Sequence, residues 1–409
     1  MPRAGDAIFL CALSLLCIGV VMVNSAGLSV DGQSAVTLQT ILFSRSSAYM
    51  AVAVIVMLAA SRLPLAKLGA RRKAAGNGTG CVPTAPTWVP LLLPLMLVLL
   101  ALVYVPGIGR EVNGARRWVG IPGSGFSMQP SEIAKWGMIL VLAWYGATRV
   151  AVMRDFQRGL LPALAALVAV AGLITLEDLG TGVLVAASGS LLLIAAGARV
   201  VHFLMFAPLL LLGFAAAIIT SPYRMTRLIT FWDPYSDPDG TGYHMIQSLV
   251  AVANGGGWGR GLGFGLQKFG YLPEDRNDFL FAVICEELGL AGAALVIALY
   301  LALLACGWAI TRRQTSPFLR LTSLGIIVTL TLQALINLFV VTGLAPTKGI
   351  ALPLLSAGGT GWILTAGSLG LLIAMDRLAD ARGPALEGTG SPASAPLPRA
   401  AMLGAGAAA

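Results

Sequence analysis

Four groups of polar residues stand out from a largely apolar sequence, and each has chemistry open to it. The longest polar stretch runs from Ser221 to Asp278. It carries Tyr223-Arg224, Arg227, Asp233-Pro234, alternating glycines from Gly257 to Gly265, Gln267-Lys268 and Tyr271-Leu272-Pro273-Glu274. It closes on Asp278, and the apolar sequence resumes at Phe279. A carboxylate at such a border can act as a general base toward a hydroxyl. It can equally cap the helix that starts there. Glu286-Glu287 follow about two helical turns further on, inside the apolar run, where carboxylates are expensive and either are paired or mark function.

The second group precedes another apolar run. Gly114-Ala115-Arg116-Arg117-Trp118 is followed by Gln129-Pro130-Ser131-Glu132-Ile133-Ala134-Lys135. Pro130 suits a first helical turn, where the negative charge of Glu132 is favoured. Glu132 and Lys135 are three apart and share a helix face. They make either a structural ion pair or the wall of a watery cavity. The third group, Glu177-Asp178-Leu179-Gly180-Thr181, reads first as a helix cap and turn. The fourth, Ala345 to Thr360, holds Lys348, Pro346, Pro353 and Ser356-Ala357-Gly358-Gly359. Its prolines and glycines predict irregular backbone, which survives at membrane depth only against protein or water.

Two other chemistries fit poorly. Asp233, Asp237 and Asp239 lack the spacing and the closing glutamate of a calcium loop, so turn chemistry is expected. The alternating glycines do not match a dinucleotide fingerprint. Glycines here predict backbone lying close to a headgroup or a neighbouring loop.

The elements that must position these groups are membrane helices. The 409 residues are 57% hydrophobic and 11% charged, with a mean hydropathy of +0.84. Ten spans are predicted, at Ala7–Val23, Ser46–Ser61, Trp88–Val105, Ser131–Thr148, Gly159–Thr175, Leu179–Ala196, Val200–Thr220, Phe279–Thr311, Leu321–Gly343 and Gly361–Met375. The expected fold is an all-α polytopic membrane protein, with one membrane domain over residues 1–380 and outer loops at 106–130, 221–278 and 344–360. Disorder is expected in the inner loop Arg71–Pro86 and in the tail 381–409. More than half of the 27 Lys and Arg fall in the inner segments when both termini are placed inside, including Arg62, Arg71, Arg72, Lys73, Arg149, Arg312 and Arg313. The net charge of +9 is then mainly a topology signal, and its scatter over short loops excludes a nucleic-acid stripe. Arg3 and the first apolar run predict an uncleaved anchor rather than a signal peptide. The five cysteines offer no outer-loop pair, and two histidines, His202 and His244, are too far apart for a histidine metal site.

Taken together, the motifs resemble the SEDS family (shape, elongation, division, sporulation), which includes the FtsW, RodA and SpoVE proteins. The residues that carry the resemblance are Arg117-Trp118, Gln129-Pro130-Ser131-Glu132 with Lys135, Asp178-Leu179-Gly180-Thr181, Tyr223-Arg224 through Arg227 to Asp233-Pro234, Leu272-Pro273-Glu274, Asp278-Phe279, Glu286-Glu287-Leu288-Gly289 and Leu352-Pro353-Leu354-Leu355-Ser356. Gln267-Lys268 with Tyr271, and Pro346-Thr347-Lys348-Gly349, look more like the division branch, FtsW, than the elongation branch. Asn277, Ala357, Thr360-Gly361 and His244 depart from the family's usual residues.

The resemblance implies a peptidoglycan glycosyltransferase of the cytoplasmic membrane that polymerises lipid II on its outer face. It implies a class B penicillin-binding protein as transpeptidase partner, with other division proteins, at the septum. Asp278 resembles the family's catalytic aspartate. The leaving diphosphate needs cations, either side chains or a divalent ion such as Mg2+ or Mn2+. The expected substrate-binding residues are Arg116, Arg117, Trp118, Glu132, Lys135, Asp178, Arg224, Arg227, Lys268, Glu274, Lys348 and Ser356. A lipid II flippase is the alternative of a different class. The nearly pure Ala, Leu, Val and Gly inner halves of the spans between Arg149 and Arg199 speak against a polar path through the membrane.

Overall fold

The computed structural model describes residues 3–26, 38–65, 71–73, 81–83, 85–112, 115–120, 127–267, 272, 276–347, 349–357 and 359–387. Each predicted span falls on a helix. In chain order these are α1 (Ala4–Ala26), the short α2 (Leu38–Leu42), α3 (Arg45–Ser61), α4 (Leu92–Ala101, with a 3-10 turn at each end), α5 (Pro130–Thr148), α6 (Leu161–Glu177, entered through a π turn at Phe156–Leu160), α7 (Leu179–Ala195) and α8 (Val200–Ile219). The polar stretch folds into α9 (Pro222–Trp232) and α10 (Tyr243–Asn254). Then come α11 (Leu280–Arg313), α12 (Pro317–Val341) and α13 (Thr360–Glu387). Among the described residues, the helices Ala4–Ala26, Phe156–Glu177, Leu280–Arg313, Pro317–Val341 and Thr360–Ala381 are long and apolar enough to cross a membrane by length and composition. Starts follow the local chemistry. Pro130, Pro222 and Pro317 each take the first helical position, where the missing N–H costs nothing, behind an extended Gln129, Ser221 and Ser316.

α1 packs between α11 and α13, α13 lies along α3, and α5 packs on α4, α7 and α12. Ile8, Leu15, Met22, Met57, Met138 and Leu142 are among the fully buried side chains. α8 stands apart. Its main neighbour is α9, and Leu204, Leu209 and Leu211 are exposed. Its first turns rest on Phe156, whose ring stacks on Phe206 at 5.4 Å and meets His202 edge-on at 5.3 Å.

The structure corrects the sequence reading in four places. First, the fold is not wholly helical. The loop after α4 forms an antiparallel sheet, β3 (Gly109–Val112), β4 (Ala115–Gly120) and β5 (Ser127–Met128), in the order β3-β4-β5. Second, in the loop expected to be disordered, β1 (Arg71–Lys73) pairs antiparallel with β2 (Cys81–Pro83). Composition speaks to side-chain burial, whereas a ribbon needs only backbone pairing. Third, α13 continues past Ala381 to Glu387. Asp376 accepts from the Gly5 N–H and the Arg313 guanidinium, each at 2.9 Å, and Arg377 donates to the Ser61 carbonyl at 3.3 Å. These polar ties end the apolar run without ending the helix. The rest of the tail, from residue 388, lies outside the described residues.

Fourth, α11 is broken at Gly289, where φ is 64° and ψ −162°. The alternating glycines lie against the break. The N–H groups of Arg260 and Gly261 donate to the Glu286 and Glu287 carbonyls, both at 3.0 Å. The Gly256 and Gly257 carbonyls accept from Leu290 and Ala291 at 2.9 and 3.2 Å. The loop therefore supplies the partners that the helix loses there. A Cβ on Gly259 would sit 2.2 Å from the Glu287 carbonyl oxygen, so only glycine lets the two backbones meet. Glu286 and Glu287, both 0% exposed, bind the same loop. Glu286 accepts from the Leu266 and Gln267 N–H groups, and Glu287 from the Gly263 N–H and the Ser25 hydroxyl. They are paired structural carboxylates.

Candidate active site

A cavity of about 750 Å³ opens where the ends of several helices meet. The walls come from β4, α5, α7, α9, the turn before α11, α12, the 344–360 loop and the start of α13. Of the residues expected to act on substrate, Arg117, Trp118, Glu132, Asp178, Arg224, Arg227, Asp278 and Ser356 line it together.

Asp278 occupies the turn leading into α11 and is half-buried. It precedes Phe279, the capping position of that helix, whose side chain makes no cap. Its carbonyl accepts from Asn337 Nδ2 at 2.8 Å. Behind it lies Gly349, where an added Cβ would stand 2.9 Å from Asp278 Oδ2. The carboxylate is therefore seated against bare backbone.

The arginines reach the cavity from two elements. Arg224 and Arg227, three apart, share one face of α9. Arg224 Nη2 donates to the Thr175 carbonyl at 3.2 Å, and Arg227 Nη1 to the Thr347 carbonyl at 2.9 Å. Arg117 on β4 brings Nη1 to 4.0 Å from Asp178 Oδ2. Asp178 fills both readings of its motif. Its Oδ1 accepts from the Thr181 N–H at 3.1 Å as the cap of α7, and its side chain lines the cavity.

Arg116 is not part of the wall. Its backbone N–H donates to Glu177 Oε2 at 2.9 Å, and its exposed side chain pairs with Glu111 at 3.4 Å. Lys135 lies beneath the wall. It is 2% exposed, and its Nζ is 2.8 Å from Glu132 Oε2 and 2.9 Å from Gln333 Oε1. The pair is thus an ion pair and a cavity feature at once, with Glu132 facing the space and Lys135 holding it. Ser356 Oγ accepts from the Leu352 N–H at 2.9 Å and helps close a turn in which Leu354 has a φ of 64°. The Trp362 indole donates to the Ser356 carbonyl at 2.6 Å, and the Tyr300 hydroxyl to that of Pro353. Lys268, Glu274 and Lys348 lie outside the described residues.

The aspartates of the long loop serve turns. Asp233 accepts from the Tyr235 N–H, and Asp237 from the Thr241 N–H and hydroxyl. Those bonds from Thr241 hold the Asp237 carboxyl below its usual range.

Two residues of the site escaped the sequence reading. Gln333 and Asn337, one turn apart on α12, are 6% and 1% exposed. Carboxamides inside an apolar run are the signal that could have found them.

The family model FTSW_RODA_SPOVE, described as "Cell cycle protein", matches residues 6–380. Stage V sporulation protein E of Bacillus subtilis is 39% identical over 292 residues, covering 71% of this chain and 79% of that protein. The probable peptidoglycan glycosyltransferase FtsW of Halomonas elongata is 39% identical over 370 residues, covering 89% and 88%. A chain from "Structural coordination of polymerization and crosslinking by a peptidoglycan synthase complex" superposes with a TM-score of 0.66 at 28% identity, covering 91% of this chain and 97% of that one. The rod shape determining protein RodA of Thermus thermophilus gives 0.59 at 25%, covering 90% and 95%.

Proposed function

This chain belongs to the FtsW/RodA/SpoVE family of cell cycle proteins, and on that premise we propose that it is a peptidoglycan glycosyltransferase that polymerises lipid II for septal wall synthesis. The observation that carries the reading is Asp278, half-buried in the wall of a cavity of about 750 Å³ that it shares with Arg117, Arg224 and Arg227.

Asp278 takes the proton of the acceptor GlcNAc 4-hydroxyl. The oxygen attacks the anomeric carbon of the donor MurNAc from the face opposite the leaving group. One C–O bond forms and the bond to the diphosphate breaks, with inversion. The electron pair leaves on the diphosphate, whose charge the cavity's arginines meet. Mg2+ or Mn2+ usually keeps several waters and takes one or two carboxylates plus substrate phosphates. Among the described residues no group of three or more His, Cys, Asp or Glu could hold a metal. The polyprenyl tail needs an apolar path. Ile218 of α8 lines the cavity, and the exposed leucines of that helix continue the apolar surface.

The chain crosses the cytoplasmic membrane ten times, with both termini inside and the cavity outside. It works with a class B penicillin-binding protein, in keeping with the synthase complex that it resembles. The deciding experiment supplies the purified protein with lipid II, alone and with its transpeptidase partner. Glycan strands support the reading. No polymer under either condition, together with lipid II translocation in vesicles, would replace it with the flippase.

A further inference from the structure

A carboxamide buried in a membrane helix is costly unless its polar atoms find partners. Gln333 and Asn337 both aim their NH2 groups at main-chain carbonyls of the 344–360 loop. Gln333 Nε2 donates to Ala351, and Asn337 Nδ2 to Ile350, each at 2.8 Å. Asn337 Nδ2 also donates to the Asp278 carbonyl at 2.8 Å. An NH2 group has two hydrogens, and two carbonyl acceptors use both, which fixes the orientation of the amide. Its Oδ1 has no hydrogen-bond partner among the described residues. The atom that matters at this position is therefore the nitrogen. Gln333 Oε1 accepts from Lys135 in turn. A ladder of amides on α12 thus runs from the Glu132–Lys135 pair to the main chain of Asp278.

We propose that Asn337 is the positioning residue for the transfer. It ties the backbone of Asp278 to that of Ile350, so that the Asp278 carboxylate rests on Gly349, the residue before Ile350. Asn337 does not line the cavity; it acts through the main chain. This rests on the reading of Asp278 as the base. Two features agree with it. Gly349 leaves room for Asp278 Oδ2 where a Cβ would come within 2.9 Å. The Ala357 N–H donates to the Arg276 carbonyl at 2.9 Å, a second tie between the same two segments.

The test uses the full chain with its transpeptidase partner and purified lipid II. Asn337→Asp keeps the shape but turns acceptor oxygens toward two carbonyls, and Asn337→Ala removes the donors. Misplacing a reacting group by about 1 Å can cost on the order of 100-fold. The expected result is a fall in kcat of about 10- to 100-fold with KM for lipid II changed less than about twofold. Gly349→Ala leaves the Asn337 donors in place and displaces the carboxylate, so it should give the same kcat loss with an unchanged melting temperature. It decides the matter if the Asn337 variants do not fold. Folded Asn337 variants, or Gly349→Ala, with kcat within about twofold of the parent would overturn the proposal while leaving Asp278 as the base. A rise in KM with kcat intact would overturn it too. Near-normal polymerisation by Asp278→Asn would overturn the base and this proposal together.

Discussion

Asp278 can be tested by exchanging one oxygen for an NH2 group with no change of shape. Asp278→Asn removes the proton acceptor, and since Asn caps a helix about as well as Asp, no capping role confuses the result. Loss of a general base typically costs about 100- to 10,000-fold in rate. The expected outcome is normal membrane abundance, normal binding of the transpeptidase and loss of polymer at that scale in a lipid II assay. Glu132 and Lys135 should part company. Lys135 is almost fully buried with two partners, and breaking a buried pair from one side typically costs about 3–5 kcal/mol. Lys135→Ala is therefore expected to lower both the melting temperature of the solubilised enzyme and its abundance. Glu132→Gln keeps an acceptor for Lys135 and changes the cavity wall, so activity should fall further than stability. An unchanged melt for Lys135→Ala would move that residue into the substrate site. The acids and arginines of the site were legible because charges in an apolar sequence advertise themselves. Gln333 and Asn337 carry no formal charge, so a search for charges inside apolar runs passes over them.

At the scale of elements, the broken α11 and the glycine loop that completes it form one unit. Gly259 and Gly263 both have positive φ, 80° and 85°, but only Gly259 presses on backbone, since an added Cβ on Gly263 would meet nothing within 4 Å. Alanine at either position costs strain of about 1–3 kcal/mol. At Gly259 it also separates the loop from the Glu287 carbonyl. Gly259→Ala should thus sharply reduce folded protein in size-exclusion profiles, while Gly263→Ala leaves a folded enzyme. Equal effects would show that the dihedral angle matters and the contact does not. The sequence predicted close backbone approach for these glycines but not what they approach. The break at Gly289 follows directly on Glu286-Glu287, but a lone glycine inside a helical run does not by itself announce a break. The sheet β3-β4-β5 was equally hidden. Its strands are short, and their pairing is a matter of backbone partners rather than of side-chain periodicity.

For the whole molecule, the helices were legible from length and hydropathy, since each of the ten predicted segments falls on one, and among the described residues five are long and apolar enough to cross a membrane. Their arrangement was not, because apolar sequence says that a helix is buried in lipid or protein without saying against what. Sidedness is open to direct test. Single cysteines at Ser236, exposed in the turn after α9, and at Ser391 in the tail should react differently with an impermeant thiol reagent on intact cells. Ser236 should label and Ser391 should not; the reverse pattern would invert the topology. The two described chain ends already share one end of the bundle, where Arg3 Nε is 3.4 Å from Asp380 Oδ2. Gly5 and Asp376, joined by a hydrogen bond, are 371 residues apart in sequence. Chains are made from the N-terminus at about 5–20 residues per second. α1 is thus made well ahead of two of its neighbours, α11 and α13. Until they follow, the protein holds an unfinished seam beside α1. Their arrival zips that seam shut, and before it lipid or an attendant insertase must stand in for the missing part of the wall.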